Sequence, residues 1–215
     1  MKLASSAIVF LISCSSLLVN ASTVTLDFES LKQNDASFTF LNGAYTEAGY
    51  ALTMSEPEPY SFASAGDLNS RYAGSTTLTT FNFGTVTLAN NAGSDFDFLS
   101  LDVAPVFLGA DDPFGVNRDL NAVYETTIYG LRGDGSFVSQ VVTIPNSSLA
   151  NILITVQLVG FTGLNQVALL NASFPGVQFD NLVLNTASVS AVPAPAAIWL
   201  FTSGLLGFLG LRKRA

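Results

Sequence analysis

The sequence predicts an all-β fold, an antiparallel, jelly-roll-like β-sandwich, on three observations. Thr23-Val24-Thr25-Leu26-Asp27-Phe28-Glu29 alternates strictly, with Val24, Leu26 and Phe28 on one face and the polar residues on the other. That period of two is the mark of a half-buried strand. Segments rich in Val, Ile, Thr and Phe then recur along the chain, punctuated by Asn, Asp, Gly and Pro, which are turn formers. Finally, no stretch outside the two ends keeps a helical period.

Residues 1–21 read as a secretory signal peptide. Lys2 supplies the positive start, Ala7 to Val19 the apolar stretch, and Val19-Asn20-Ala21 the small or β-branched residues that place cleavage at Ala21. Leu11-Ile12-Ser13-Cys14 offers a competing lipidation site, but apolar Leu17-Leu18-Val19 follows the cysteine where a polar tether is usual. The β-domain spans 22–185. Its candidate strands after Thr23–Glu29 are Tyr50–Met54, Thr76–Phe83, Phe96–Val103, Ala122–Leu131, Phe137–Ile144, Asn151–Val159, Val167–Phe174 and Val177–Leu184. Eight or nine strands in roughly 170 residues suit two packed sheets and a core large enough to do without disulfides. Thr186 to Ala191 form a short tether. Residues 192–196 read Val-Pro-Ala-Pro-Ala, an uncharged stretch continues from Ala196 to Leu211, and Arg212-Lys213-Arg214 follow at once. As a helix, 196–211 would be roughly 25 Å long, close to the lower limit for crossing a bilayer. The basic triplet would hold the C-terminus on the cytoplasmic side and leave the β-domain outside.

Composition narrows the chemistry. The chain has no histidine and a single cysteine, which removes His-based triads, His–metal sites, intrachain disulfides and zinc clusters. All sixteen acidic residues fall between Asp27 and Asp180, against only Lys32, Arg71, Arg118 and Arg132, a net of −12 for this region and −8 for the chain. Such a domain repels nucleic acid and attracts cations. The remaining catalytic options are a carboxylate pair or a Ser/Lys dyad. Lys32, the one lysine of the β-domain, lies in the polar run Gln33-Asn34-Asp35, and Glu56 and Glu58 only flank Pro57. The reading is therefore not an enzyme, with a carboxylate-pair glycoside hydrolase as a distant alternative. Asp111-Asp112-Pro113-Phe114-Gly115-Val116-Asn117-Arg118-Asp119 lacks calcium-loop spacing and reads as a solvated acidic loop. Arg132-Gly133-Asp134 sits where Gly133-Asp134-Gly135 should turn a hairpin.

Val192, Pro193, Ala194, Pro195 and Ala196, the apolar span with Trp199 near its outer end, and Arg212, Lys213 and Arg214 together resemble a PEP-CTERM sorting signal. The match is to the variant reading V-P-L-P-A, with Ala194 in place of leucine. The resemblance implies an exported protein of exopolysaccharide-producing Gram-negative bacteria, processed by signal peptidase and an exosortase. It would be anchored in the inner membrane with its ectodomain in the periplasm, then delivered to the surface or extracellular matrix. The two prolines fit, since they remove backbone donors and keep the motif extended.

Leu26-Asp27-Phe28-Glu29 and Phe179-Asp180-Asn181-Leu182-Val183 resemble the first and last strands of jelly-roll carbohydrate-binding modules. Tyr45-Thr46-Glu47-Ala48-Gly49-Tyr50 and Phe98-Leu99-Ser100-Leu101-Asp102 resemble phrases of PEP-CTERM ectodomains. The module resemblance implies a structural Ca²⁺ held by Glu29 and Asp180, with Asp27 beside them; oxygen ligands suit that ion. The plainer reading makes all three ordinary solvent-facing carboxylates. The favoured function is a non-catalytic, exopolysaccharide-associated surface protein, the alternative a calcium-stabilised carbohydrate-binding module. Sugar platforms would come from Tyr45, Tyr50, Tyr60, Tyr72, Tyr124 or Tyr129, since the one tryptophan lies in the apolar tail.

Overall fold

A computed structural model describes residues 22–42, 44–55, 62–81, 84–106, 124–144, 152–171 and 176–186. The signal peptide with Ala21, the motif 192–196, the apolar span and the basic triplet 212–214 lie outside the described residues. So do Glu56, Glu58, Tyr60 and the acidic loop 111–119. All described residues belong to one compact unit, Ala21–Ala187. Among them no helix is long and apolar enough to cross a membrane.

The unit is all-β and antiparallel. Its strands are β1 (Thr23–Leu26), β2 (Phe38–Phe40), β3 (Ala44–Glu47), β4 (Tyr50–Ser55), β5 (Phe62–Ala65), β6 (Leu78–Phe81), β7 (Thr85–Asn90), β8 (Phe96–Pro105), β9 (Tyr124–Arg132), β10 (Phe137–Ile144), β11 (Ile154–Gln157), β12 (Leu164–Asn171) and β13 (Gly176–Thr186). They form one curled sheet whose two leaves meet at a single pair, Leu164 of β12 opposite Phe96 of β8. The first leaf runs β2-β5-β6-β13-β8-β11, with β1 beside the second half of β13. The second runs β10-β9-β12-β7-β4-β3.

Nine candidate strands become thirteen because short segments also pair. β2, β3 and β5 supply three, four and four residues, too short for a clear periodic signal but enough to extend a ladder, and β7 adds six alternating residues. The first strand is shorter than its alternation implies. Pairing with β13 ends at Leu26; Phe28 turns left-handed at φ 56° and Glu29–Leu31 form a 3-10 turn. The corner forms because Glu47 receives the two amides released there, Asp27 N–H at 3.3 Å and Phe28 N–H at 3.2 Å. Phe28 still points inward, fully buried.

Side chains from both leaves fill one core. Tyr50 of β4 meets Phe96 of β8 edge to face at 5.4 Å, and Phe28 meets Tyr45 of β3 at 5.6 Å. Around them lie Leu52, Leu88, Phe98, Leu101, Ile128, Leu169 and Phe179, each almost wholly buried. At one side the leaves are tied by polar groups. Gln140 on β10 donates from Nε2 to the Gln157 carbonyl at 3.1 Å and accepts Val159 N–H at 3.3 Å. Arg132 donates from Nη2 to the Gly160 carbonyl at 2.7 Å and from Nε to the Thr162 carbonyl at 3.1 Å. Arg132-Gly133-Asp134 is thus part of the β9–β10 turn. Gly135 takes φ 83°, and Asp134 accepts Ser136 N–H at 2.8 Å.

Among the described residues Phe96 sits at the one strand pairing between the leaves and is fully buried, so Phe96→Ala should cost about 3–5 kcal/mol. Phe137→Ala, on the outer surface, should change stability by no more than ~0.5 kcal/mol. Urea unfolding of the two variants measures the contrast.

Candidate functional site

Of the acidic residues singled out by sequence, Asp180 and Glu29 come within electrostatic reach of each other near the point where β1 leaves the sheet. Asp180 lies directly opposite Asp102 in the β13–β8 ladder. The ladder shifts register after Asp180, and Asn181 takes φ 47°. This bulge aims the Asn181 amide at both carboxylates: Nδ2 donates to Asp102 at 2.8 Å and to Asp180 at 3.3 Å, while its backbone N–H reaches Asp180 at 2.7 Å. Thr155 on β11 donates to Asp102 at 2.5 Å, and Ser75 hydrogen-bonds to Asp180. The residue is fully buried. Burial raises its pKa from the ordinary value to about 6, against the lowering effect of its hydrogen bonds; Asp102 and Glu29 add like-charge repulsion.

Glu29 is therefore within electrostatic reach of Asp180, but its own nearest cation is Lys32 at 3.8 Å. Asp27 faces the local chain, accepting Glu29 N–H at 3.1 Å. Asp102 and Glu47 belong to this corner and sequence reasoning did not nominate them. Glu47 is raised by burial, with the adjacent Asp27 carboxyl adding to the rise, although the Asp27 and Phe28 amides and the Tyr45 hydroxyl favour its charged form. Among the described residues no group of three or more acidic side chains stands close enough to hold a metal ion. The oxygens of Asp180 and Asp102 are engaged by Asn181, Ser75 and Thr155.

Of the tyrosines, Tyr50 and Tyr124 are core residues, and Tyr45 is half-buried against Phe28. Tyr129 is different. It lies on the outer face of the second leaf, where strand register places side chains in rows. One row runs Phe137, Leu131, Gln166, Ala89, Ala51, Thr46 across all six strands; the next runs Ser139, Tyr129, Ala168, Thr87, Thr53, Ala44. Val141, Thr127, Leu170 and Thr85 follow, and Thr143 opposite Glu125 closes the face. Glu125 is the one charged residue in these rows. At the β9–β10 end the large side chains stand out of the sheet: Phe137 is 71% exposed, Val141 60%, Tyr129 40% and Leu131 40%.

The first leaf differs on its outer face. There Gln178, Thr79 and Asp180 are buried beneath residues 66–77. Thr77 donates to Gln178 at 2.7 Å, and the Arg71 guanidinium lies over the Phe38 and Phe81 rings at 5.2 and 5.7 Å. The second leaf's face is the open one.

No family model matches the sequence. No curated protein matches it either. Among solved structures, a point mutant of the family 29 carbohydrate-binding module CBM29-2, in complex with mannohexaose, aligns at a TM-score of 0.40 and 14% identity, over 78% of this chain and 94% of that one. Another family 29 module aligns at 0.40 and 12% identity, over 83% and 98% of the two chains. A family 29 module from Piromyces equi aligns at 0.40 and 12%, over 81% and 96%.

Asp180 supplies a pH dependence with a definite sign. Its folded pKa, about 6, exceeds the unfolded value of 3.8. The folded state therefore holds the proton more tightly, and this stabilisation is present below the unfolded pKa and lost as pH rises through about 6. Glu47, raised by burial, acts in the same direction. Asp180→Asn should raise the Tm at neutral pH and flatten the fall in Tm between about pH 4 and 7, measured by calorimetry across that range.

Proposed function

We propose that this chain is a non-catalytic, exported surface protein with a jelly-roll-type sandwich that binds uncharged polysaccharide on the outer face of its second leaf. One observation carries the reading. In a domain of net charge −12, a six-strand face presents hydroxyl and methyl groups with a single carboxylate, and its exposed rings cluster at one end. Rings offer flat apolar surface against the C–H faces of sugars, and threonine and glutamine side chains exchange hydrogen bonds with sugar hydroxyls. A face built on paired strands is rigid, so binding orders few side chains. An anionic polymer would meet the repulsion of the surrounding acids; a neutral one does not.

The close carboxyl groups favour a binding module over a hydrolase. Asp180 and Asp102 are locked by Asn181, and Glu47 grips the corner at Asp27. They are engaged in holding the structure together. Nothing in the reading passes through a metal ion. Delivery rests on the sequence alone: the signal peptide ending at Ala21, the 192–196 motif, the apolar span and the Arg212–Arg214 triplet fit export, membrane anchoring and exosortase release into a polysaccharide matrix.

Affinity electrophoresis of the full chain through gels cast with neutral or acidic polysaccharides tests the binding. Retardation is expected on at least one neutral polymer, and Tyr129→Ala and Phe137→Ala should each remove it while leaving the Tm in place. No retardation on any polymer overturns the proposal. Delivery is read separately by mass spectrometry of the protein from cells and medium, which should show cleavage after Ala21 and loss of the segment beyond the 192–196 motif. An intact C-terminus in an exosortase-bearing host overturns that part.

A further inference from the structure

The edge of the second leaf is a strand prepared to receive another. β10 has eight residues and pairs with β9 one to one, from Phe137 opposite Leu131 to Ile144 opposite Tyr124, without a bulge. Among the described residues it has no second strand partner, and no other backbone hydrogen bond of 137–144 to a described residue is seen. Proteins usually blunt such edges with charges, proline, bulges or shortness, because the unused N–H and C=O groups invite pairing. The other edges comply: β2 has three residues, β1 and β11 four each, and β3 four ending in Glu47. β10 reads Phe-Val-Ser-Gln-Val-Val-Thr-Ile, with no charge and no proline. Its outward Phe137 and Val141 are the most exposed large apolar side chains of the face. Through Gln140 the strand is also fastened to Gln157 and Val159 of its own chain, so it is held straight and in place.

We propose that β10 pairs antiparallel with β10 of a second copy, joining two second leaves into one sheet across a two-fold axis. Self-complementarity selects this occupant, and charge fixes the place: two domains of −12 repel over most of their surfaces, and an uncharged edge lets them approach to the ~4.8 Å of strand pairing. A two-fold antiparallel pair is self-complementary: the residues that face outward in one copy stand beside outward residues of the other. Phe137, Ser139, Val141 and Thr143 then line one continuous strip, and the two faces, each with a single carboxylate, become one surface.

The test needs no polysaccharide, so it is independent of the binding reading. In a Cys14→Ser background, which removes the chain's single cysteine, Ser139→Cys and Val141→Cys are placed on β10 and Thr46→Cys on the opposite edge, β3. Under mild oxidation of the full chain at least one β10 variant should form a disulfide-linked dimer, and Thr46→Cys should not. Sedimentation velocity should show a dimer for the wild type that Ser139→Lys abolishes with its Tm unchanged and Thr46→Lys leaves intact. Absence of a crosslink from both β10 positions, a dimer that survives Ser139→Lys, or a wild type monomeric at every concentration overturns the proposal. Pairing of β10 with a foreign chain instead would appear as a mixed disulfide of unequal mass, and would overturn it equally.

Discussion

Everything in the β-domain depends on how β8 is paired. On one flank it runs with β13 from Phe96 to Pro105; on the other it holds β11 at Ser100–Val103 and, at Phe96 alone, touches β12. That single residue is where the sheet doubles back. Phe96 also fills the space that the doubling creates, its ring edge against Tyr50. A sheet that curls must bring its two inner faces to side-chain packing distance, about 10 Å, and large aromatics near the joint set that gap. Gln140 and Arg132 then tie the open side with hydrogen bonds to the carbonyls of Gln157, Gly160 and Thr162.

The same closure gives the two outer faces unlike fates. On the first leaf several buried polar side chains find partners inside the protein. Thr77 serves Gln178, Ser75 and Asn181 serve Asp180, and Arg71 lies on two phenylalanines. The second leaf's outer face stays open at its β9–β10 end, and small Ala and Thr side chains line its rows. Acidic residues are spent on corners and turns: Glu47 at Asp27–Phe28, Asp97 on Gly163 N–H, Asp134 on the hairpin. The concentration of negative charge at loops and the lack of it on one sheet face are two results of one arrangement.

Much of this was legible in the residues. Alternation located the long strands, since burying one face of a pleated strand leaves a period of two. It misled at Asp27–Glu29, where the pattern is kept but two backbone amides turn from the ladder to Glu47, a partner distant in sequence. Short strands such as β2 and β5 carry no pattern because three or four residues cannot show one. The acidic corner was partly visible: Asp180 and Glu29 do share a field, yet Asp102 joins them only through strand register. The exposed face was not legible in this way because it is a property of paired rows and not of any single tyrosine. A pairing argument could have found it. Counting outward from Gly133-Asp134-Gly135 sets Phe137 against Leu131, and their common face follows from the pleat.

A nearly uncharged face and an unprotected edge are costs for an acidic protein. Net charge keeps copies apart, and every apolar side chain left in water on a flat strand raises the risk of sticking. Replacing Val141 or Ser139 by lysine would lower that risk without touching the core, since neither side chain packs inward. The β3 edge carries such protection in Glu47, so the fold can accommodate it. That β10 lacks it, beside the most exposed aromatic ring of the face, is accounted for if contact there is the purpose of the surface. Polymer binding and edge pairing then reinforce one another. Joining two copies presents two sets of rings to one chain of sugars, and the second engagement occurs at the high effective concentration that linkage provides.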